Sequence, residues 1–235
     1  MMRKQTFVKA LVLILVLLFF NIGAKFPLMS ENSNVSGTFE ISKSSPSNYP
    51  VVVRQRLHRE LVNEVKVYIT KMAPKSKVSA EVLVTVCQKY DIDITFVLAQ
   101  ALIESHFGTT GMAVKTNSVF NVGTWDSKKV LRRYKTQNES IEDYVILIKN
   151  DYLSKRTMAQ LLRDGGYKNK NGHRYASAPN YEQSLRSTIA NITMETSIKT
   201  YQEVINMSDE KMMAYFGPED NGQIVKTDQL TASLK

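Results

Sequence analysis

The chain has 235 residues, 43% of them hydrophobic, which is enough for the core of one globular domain. Lysine and arginine outnumber aspartate and glutamate by 31 to 22, and the net charge of +9 attracts polyanions such as nucleic acid, anionic membrane or anionic cell-wall polymer. The basic residues are scattered and no nucleic-acid-binding motif occurs, which argues against nucleic acid. Cys87 is the only cysteine, so an internal disulfide and a multi-cysteine metal site are excluded.

Residues 1–24 have the pattern of an export signal. The basic segment "MMRKQTFVK" precedes "ALVLILVLLFF", an uncharged apolar run of 11 residues. With its extension the run stays short of the roughly 20 residues that span a bilayer. Ala24 offers a small residue for cleavage, although Ile22 fits the cleavage pattern poorly, so a cleaved signal is favoured over an uncleaved membrane anchor. In both cases this segment engages the membrane or the export machinery, and the rest of the chain works in the cell envelope or is secreted.

Residues 25–50 are rich in serine, asparagine and proline without helical or strand periodicity, which predicts a flexible linker. The folded domain is expected over residues 51–207. A polar C-terminal tail, residues 208–235, is expected to follow it.

The first three predicted elements are helices. Apolar residues recur every three or four positions in "VVVRQRLHRELVNEVKVYITKM", which predicts an amphipathic helix that ends before Pro74. Ser79 is placed to cap a second helix, "AEVLVTVCQKY". The third begins after "DID" with Asp93 or Thr95 as its cap, and its apolar residues surround the helix on every side. This predicts a central, buried helix.

The second half of the domain is predicted to contain a hairpin and three more helices. "NVGTWDSKKVLRRYK" is typical of a small β-hairpin with "DSKK" as its turn. Asn138 is expected to cap "ESIEDYVILIKNDYL", and "TMAQLLRDGG" to form a short helix that ends at paired glycines. One long helix should then run from about Tyr181 to Ile205. The predicted fold class is therefore mainly α, with a small β-hairpin lobe.

Glu104 is the residue whose position most needs a chemical explanation. It lies at the C-terminal end of the apolar helix "AQALIES", where burial and the negative end of the helix dipole both favour a neutral carboxyl. Such a group can act as a general acid. Alternatively Glu104 only ends the helix and reaches water, and periodicity alone does not decide between the two.

Four blocks resemble one family in order and spacing. "DIDITFVLAQALIESHFGTTG", "NSVFNVG", "RRYKTQNESIEDYVILI" and "YASAPNYEQSL" resemble the endo-β-N-acetylglucosaminidase family of bacterial peptidoglycan hydrolases, which includes autolysin glucosaminidase domains. The resemblance extends from about Tyr68 to Ile192. It implies a lysozyme-like helical fold that cleaves N-acetylglucosaminyl β-1,4 bonds of the wall glycan strand. It also implies that Glu104 is the catalytic acid of the family's "AQ-x-x-x-E-S" helix.

The resemblance further implies a substrate cleft beside Glu104. "NSVFNVG" is similar to the family's "N-N-L-F-G-I-K" segment, which places three residues in the cleft wall: Asn117, Phe120 and Gly123. An amide and an aromatic ring suit the hydroxyls and apolar faces of sugars, although Phe120 considered by itself is a core residue. Position 121 holds asparagine where the family commonly has glycine.

The last block implies two tyrosines with different roles. "YASAPNY" is similar to the family's "Y-A-T-D-P-x-Y", so Tyr175 is the expected cleft tyrosine and Tyr181 a packing residue at the start of the last helix. The Tyr175 hydroxyl could orient the acetamido group of the substrate or a water. A buried ring with a satisfied hydroxyl is the alternative for Tyr175.

A second catalytic group is harder to identify. Glycoside hydrolysis generally uses an acid together with a base or nucleophile. Asp126, the only acidic residue of the predicted hairpin, is the candidate, with a solvated turn residue as the alternative. Glu139 is explained by its place in the first turn of a helix, and the substrate's own acetamido oxygen could replace a protein nucleophile. Trp125, beside Asp126, could stack on a sugar ring or belong to the core.

No metal or other cofactor is expected, because the three histidines are dispersed along the sequence and no metal-binding helix motif occurs. The sequence therefore predicts a monomeric enzyme acting on peptidoglycan glycan strands. Two rivals remain: a muramidase or lytic transglycosylase on the same fold, and a non-catalytic wall-binding module.

Overall fold

The computed structural model describes residues 49–123, 132–163, 175, 178 and 180–216. All of them lie in one compact unit, Ser44–Lys235. The described ranges contain helices and no strand. The helices are α1 (Tyr49–Met72), α2 (Ala80–Lys89), α3 (Ile94–Ser105), α4 (Ala113–Thr116), α5 (Gln137–Leu147) with a π-helical turn at Ile148–Tyr152, α6 (Met158–Leu161), α7 (Tyr181–Glu195), α8 (Ile198–Ile205) and α9 (Asp209–Phe216).

Helix α3 is the centre of the domain, as its sequence predicts. Every side chain from Ile94 to Ala101 is buried, and the helix packs against α2, α7 and α8. Asp93 rather than Thr95 caps it, since the Asp93 carboxylate accepts hydrogen bonds from two backbone N–H groups at the helix start. The last turn of α3 reaches the surface, with Ile103 36% exposed. Glu104, the next residue after Ile103, therefore lies where α3 meets the surface.

Helices α1 and α2 also follow their predicted patterns. Helix α1 buries one residue per turn, from Val53 to Tyr68, and packs against α2 and α8. It begins at Tyr49, slightly before the predicted start. Ser79 caps α2, accepting a hydrogen bond from the backbone of Val82.

The start of α5 differs from the prediction. Thr136, not Asn138, is its N-cap, and the Thr136 hydroxyl accepts a hydrogen bond from the backbone of Glu139. The Asn138 side chain instead accepts a hydrogen bond from the backbone N–H of Ser79, 2.9 Å away. Asn138 therefore joins the starts of α5 and α2, a tertiary role that local sequence does not reveal.

The predicted last helix is divided in two. Thr196 adopts an extended conformation between α7 and α8, and its hydroxyl donates back to the Ile192 carbonyl oxygen. The backbone N–H of Ser197 is satisfied by Glu64 of α1, 3.2 Å away. This contact across the domain supplies the hydrogen bond that a continuous helix would have made.

The C-terminal boundary also differs from the predicted one. Residues Asp209–Phe216, part of the predicted tail, form α9, which buries Met212 and packs against α1. Arg54 of α1 donates to the carbonyl oxygens of Ile205 and Met207 and to the carboxylate of Asp209. The packed helices thus extend beyond residue 207.

Several predicted features lie outside the described residues: the export signal, nearly all of the linker, the hairpin turn with Trp125 and Asp126, and the paired glycines. The described flanks of the hairpin form no strand, so the predicted β-hairpin lobe has no support, although the Arg132 N–H donates to the Val122 carbonyl oxygen. Within the described ranges, no helix has both the length and the apolar character needed to cross a membrane.

Replacing Gly108 by alanine should destabilise the domain. Gly108 has a φ of +78°, and an added Cβ would lie 2.4 Å from Nε2 of Gln137. The Gln137 side chain cannot easily retreat, because it donates to the Gly108 carbonyl oxygen and accepts from the Lys77 N–H. We expect Gly108→Ala to lower the free energy of unfolding by about 2 to 4 kcal/mol in urea denaturation.

Gly111→Ala is the matched control. Gly111 has a similar φ of +62°, but nothing lies within 4 Å of the position that a Cβ would occupy. In this variant the free energy of unfolding should fall only by the cost of placing alanine in a left-handed backbone conformation, about 1 to 2 kcal/mol. Equal losses in the two variants would show that the contact with Gln137 is not the cause.

Candidate active site

Glu104 lies in the last turn of α3 and is half-buried. The sequence predicts a buried carboxyl, but Glu104 is only partly buried, between the exposed Ile103 and the buried Ser105. The chain reverses immediately afterwards through His106 and Phe107, both in the left-handed region with φ of 50° and 55°. Phe107 is fully buried and holds this turn in place. Glu104 is therefore held at the end of α3 with part of its surface accessible to water.

Tyr181, the first residue of α7, contacts Glu104 directly. Its hydroxyl donates a hydrogen bond to Oε1 of Glu104 over 2.5 Å. Burial raises the pKa of Tyr181 far above its usual value of 10, with smaller contributions from Tyr175 and Glu104. Tyr181 thus stays protonated and serves as a donor. Sequence reasoning assigned it only to packing, because nothing in a residue at a helix start indicates a partner 77 positions away.

Two buried side chains extend the hydrogen bond between Tyr181 and Glu104 into the core. Gln100, one turn before Glu104 on α3, donates through Nε2 to the Tyr181 hydroxyl oxygen. The Tyr144 hydroxyl of α5 donates to Oε1 of Gln100 over 2.6 Å. Gln100 and Tyr144 are each 4% exposed. Tyr144, Gln100, Tyr181 and Glu104 form one connected set, named here the Glu104 relay.

Asn121 holds the other side of Glu104. Its Nδ2 donates to the backbone carbonyl oxygen of Glu104 over 2.7 Å and lies 3.5 Å from Oε2 of the same residue. The carbonyls at a helix end lack partners within the helix, so this bond closes α3. Asn121 has a φ of 49°, a conformation that asparagine tolerates better than most residues. The asparagine in place of the family's glycine is therefore compatible with the loop.

The predicted cleft-wall residues have mainly structural surroundings. Asn117 donates to the carbonyl oxygens of Tyr134 and Lys135. Phe120 is 5% exposed and stacks on Tyr144, with ring centroids 3.9 Å apart. Gly123 is half-buried with a φ of 88°. The described structure thus places Phe120 beneath the Glu104 relay, and substrate contact by these three residues stays a prediction.

Tyr175 lies in an aromatic cluster next to the Glu104 relay. Its ring centroid is 6.0 Å from that of Tyr181, 5.3 Å from that of Tyr152 and 6.5 Å from that of Phe96. The Tyr175 hydroxyl is buried without a hydrogen-bond partner of normal geometry among the described residues. Burial raises the pKa of Tyr175 well above 10, although the nearby Tyr144 hydroxyl acts in the opposite direction. Its predicted role as cleft tyrosine stays a prediction.

Two other carboxylates have identifiable surroundings. Glu139 accepts a hydrogen bond from the backbone N–H of Lys135, 2.9 Å away, so it supports the start of α5 as predicted. Glu182, which the sequence did not single out, is 3% exposed, and its charge contributes to the raised pKa values of Tyr175 and Tyr181. Among the described residues no three histidine, cysteine or acidic side chains group together as metal ligands.

A half-buried carboxyl at a helix end is a candidate acid for glycoside hydrolysis, which needs a group that can protonate the leaving oxygen. The family model Glucosaminidase, described as mannosyl-glycoprotein endo-beta-N-acetylglucosaminidase, matches residues 80–194. The match covers just under half of the chain, and the matched segment contains the whole Glu104 relay.

Among solved structures, the chain is similar to the catalytic domain of the autolysin Auto from Listeria monocytogenes. The two sequences are 16% identical, and the match covers 75% of this chain and 99% of that one. The TM-score is 0.35, too low for this likeness to define the fold. No curated protein matches the chain in sequence.

Proposed function

We propose that this protein is a peptidoglycan hydrolase that cleaves N-acetylglucosaminyl β-1,4 bonds of the glycan strand, with Glu104 as the general acid. The observation that carries the proposal is the hydrogen bond from Tyr181 to Oε1 of the half-buried Glu104, in the last turn of a buried helix. It lies within the segment that matches the glucosaminidase family.

The two carboxyl oxygens of Glu104 have different roles in this proposal. Oε1 is occupied as an acceptor by Tyr181, whereas among the described residues Oε2 has only the long 3.5 Å contact with Asn121. Oε2 is therefore the atom that carries the transferable proton. As the bond between the anomeric carbon and the glycosidic oxygen breaks, Oε2 donates that proton to the oxygen, and the leaving sugar departs with a hydroxyl group.

Asp126 is the proposed base or nucleophile, with the acetamido oxygen of the substrate as the alternative. Both routes leave Glu104 in the same role as acid. Trp125 is proposed to stack on a sugar ring, and Tyr175 to contact the acetamido group.

The proposed site of action is the cell envelope. Residues 1–24 would direct export, and the net charge of +9 would keep the protein near anionic wall polymers. The enzyme is proposed to act as a monomer.

Digestion of purified peptidoglycan followed by mass spectrometry tests the bond that is cut. We expect fragments with N-acetylglucosamine at the reducing end, because the family cleaves on that side of the disaccharide. Reducing-end N-acetylmuramic acid would identify a muramidase instead, and 1,6-anhydromuramyl ends a lytic transglycosylase. Sedimentation with walls in the absence of any cleavage would favour the wall-binding module.

A further inference from the structure

We infer that Gln100 is a positioning residue, which orients the Tyr181 hydroxyl towards Glu104 and thereby confines the transferable proton to Oε2. This inference rests on the proposed role of Glu104. Gln100 itself is buried and bonds the Tyr181 hydroxyl, so it acts through Tyr181.

The hydrogen bonds of the Glu104 relay have one consistent direction. An ionised Glu104 can only accept, so Tyr181 must donate to it. The Tyr181 oxygen then accepts from Nε2 of Gln100, and Oε1 of Gln100 accepts from Tyr144. A primary amide is suited to this position, because it donates at one end, accepts at the other and does not titrate.

The same direction holds when Glu104 is protonated. If the Tyr181 proton rotated towards Gln100, it would meet an N–H of the amide instead of a lone pair. A proton on Oε1 of Glu104 would likewise oppose the proton of Tyr181. The new proton therefore occupies Oε2, which has no short hydrogen bond within the described part of the chain.

Packing keeps the Glu104 relay in this arrangement. Tyr144 stacks on Phe120 with an interplanar angle of 9°, and the Tyr181 ring meets Tyr175 edge to face. Polarisation along a chain of hydrogen bonds strengthens each member, so the Gln100 amide also makes Tyr181 a better donor. The acid is thus oriented before the substrate arrives.

Gln202 shows what a purely structural buried glutamine looks like in this protein. It is 8% exposed, accepts from the Ile94 N–H and donates to the Ile92 carbonyl oxygen, each over 2.9 Å. Both of its partners are backbone groups, whereas both partners of Gln100 are tyrosine side chains leading to Glu104. Gln202→Met is therefore the matched control for Gln100→Met.

The experiment measures the pH–rate profile in four variants: Gln100→Met, Tyr181→Phe, the double variant and Gln202→Met. Release of reducing ends from purified peptidoglycan gives the rate.

Loss of a hydrogen bond to a carboxylate disfavours its ionised form, so the alkaline limb of the rate profile should move to higher pH. We expect a larger displacement for Tyr181→Phe, which loses the bond itself, than for Gln100→Met, which only misorients it. Turnover of Gln100→Met should fall about tenfold. The double variant should match Tyr181→Phe alone, since Gln100 acts through that hydroxyl. Gln202→Met should lower only the melting temperature.

A normal rate profile in folded Gln100→Met would overturn the inference, as would additive effects in the double variant. If Gln100→Met does not fold, Gln100→Glu provides the same test with nearly unchanged shape. A carboxylate at position 100 would draw the Tyr181 proton away from Glu104, so activity should fall more at neutral than at acidic pH, and equal loss at both would contradict the inference. Full activity in Glu104→Gln would instead refute the proposed function, whereas an inactive Glu104→Gln beside a normal rate profile in Gln100→Met would refute only the inference.

Discussion

Glu104→Gln should lower the rate of glycan-strand cleavage by about 10²- to 10⁴-fold without changing the melting temperature. The glutamine side chain has the same shape, and its oxygen can still accept the hydrogen bond from Tyr181. It cannot supply an acidic proton to the leaving oxygen. Zymography in peptidoglycan gels and thermal denaturation measure the two effects.

Glu139→Gln is the control for loss of a carboxylate elsewhere in the family segment. Glu139 bonds the backbone at the start of α5, so its replacement should cost a little stability and leave the rate intact. Equal clearing of the gel by wild type and Glu104→Gln would show that Glu104 is not the acid.

Phe120→Ala should reduce the free energy of unfolding by about 3 to 5 kcal/mol. The ring is nearly inaccessible and stacks on Tyr144 at 3.9 Å, so its removal leaves a cavity beneath the Glu104 relay. Urea denaturation measures the loss. Activity should fall as well, because Tyr144 loses the surface that orients it.

Phe120→Leu separates core packing from substrate contact, since leucine fills most of the space without providing an aromatic face. It should recover most of the stability and most of the activity. A Phe120→Ala variant of normal stability with weakened binding of glycan would instead place Phe120 in the cleft wall, as the family resemblance implies.

The helices that sequence predicted well are those specified by local signals. Helix α3 combines a capping aspartate with apolar residues on all sides, and both features act within a few positions. The break between α7 and α8 is different, because neither Thr196 nor Ser197 forbids a helix. The break depends on Glu64 of α1, a residue far away in the chain.

The residues of the candidate site likewise differ in whether local sequence could predict them. Glu104 could be found because a charge interrupts an apolar helix within a recognisable motif. Tyr181 and Tyr144 are 81 and 44 positions from Gln100, and their hydroxyls meet it only after α3, α5 and α7 have packed. A glutamine in an apolar helix predicts that some partner exists, but not which one.

The separation of Glu104 from Tyr181 has a consequence for biosynthesis. A ribosome that has released the chain only as far as α5 has already made the acid but not the hydroxyl that restrains it. The hydrogen-bonded pair of Glu104 and Tyr181 can therefore form only after most of the domain has been translated. A fragment ending before residue 181 would retain Glu104 and its contact with Asn121 but lack the hydrogen bond from Tyr181, so a prematurely terminated product should be a poor enzyme even where α1 to α5 assemble.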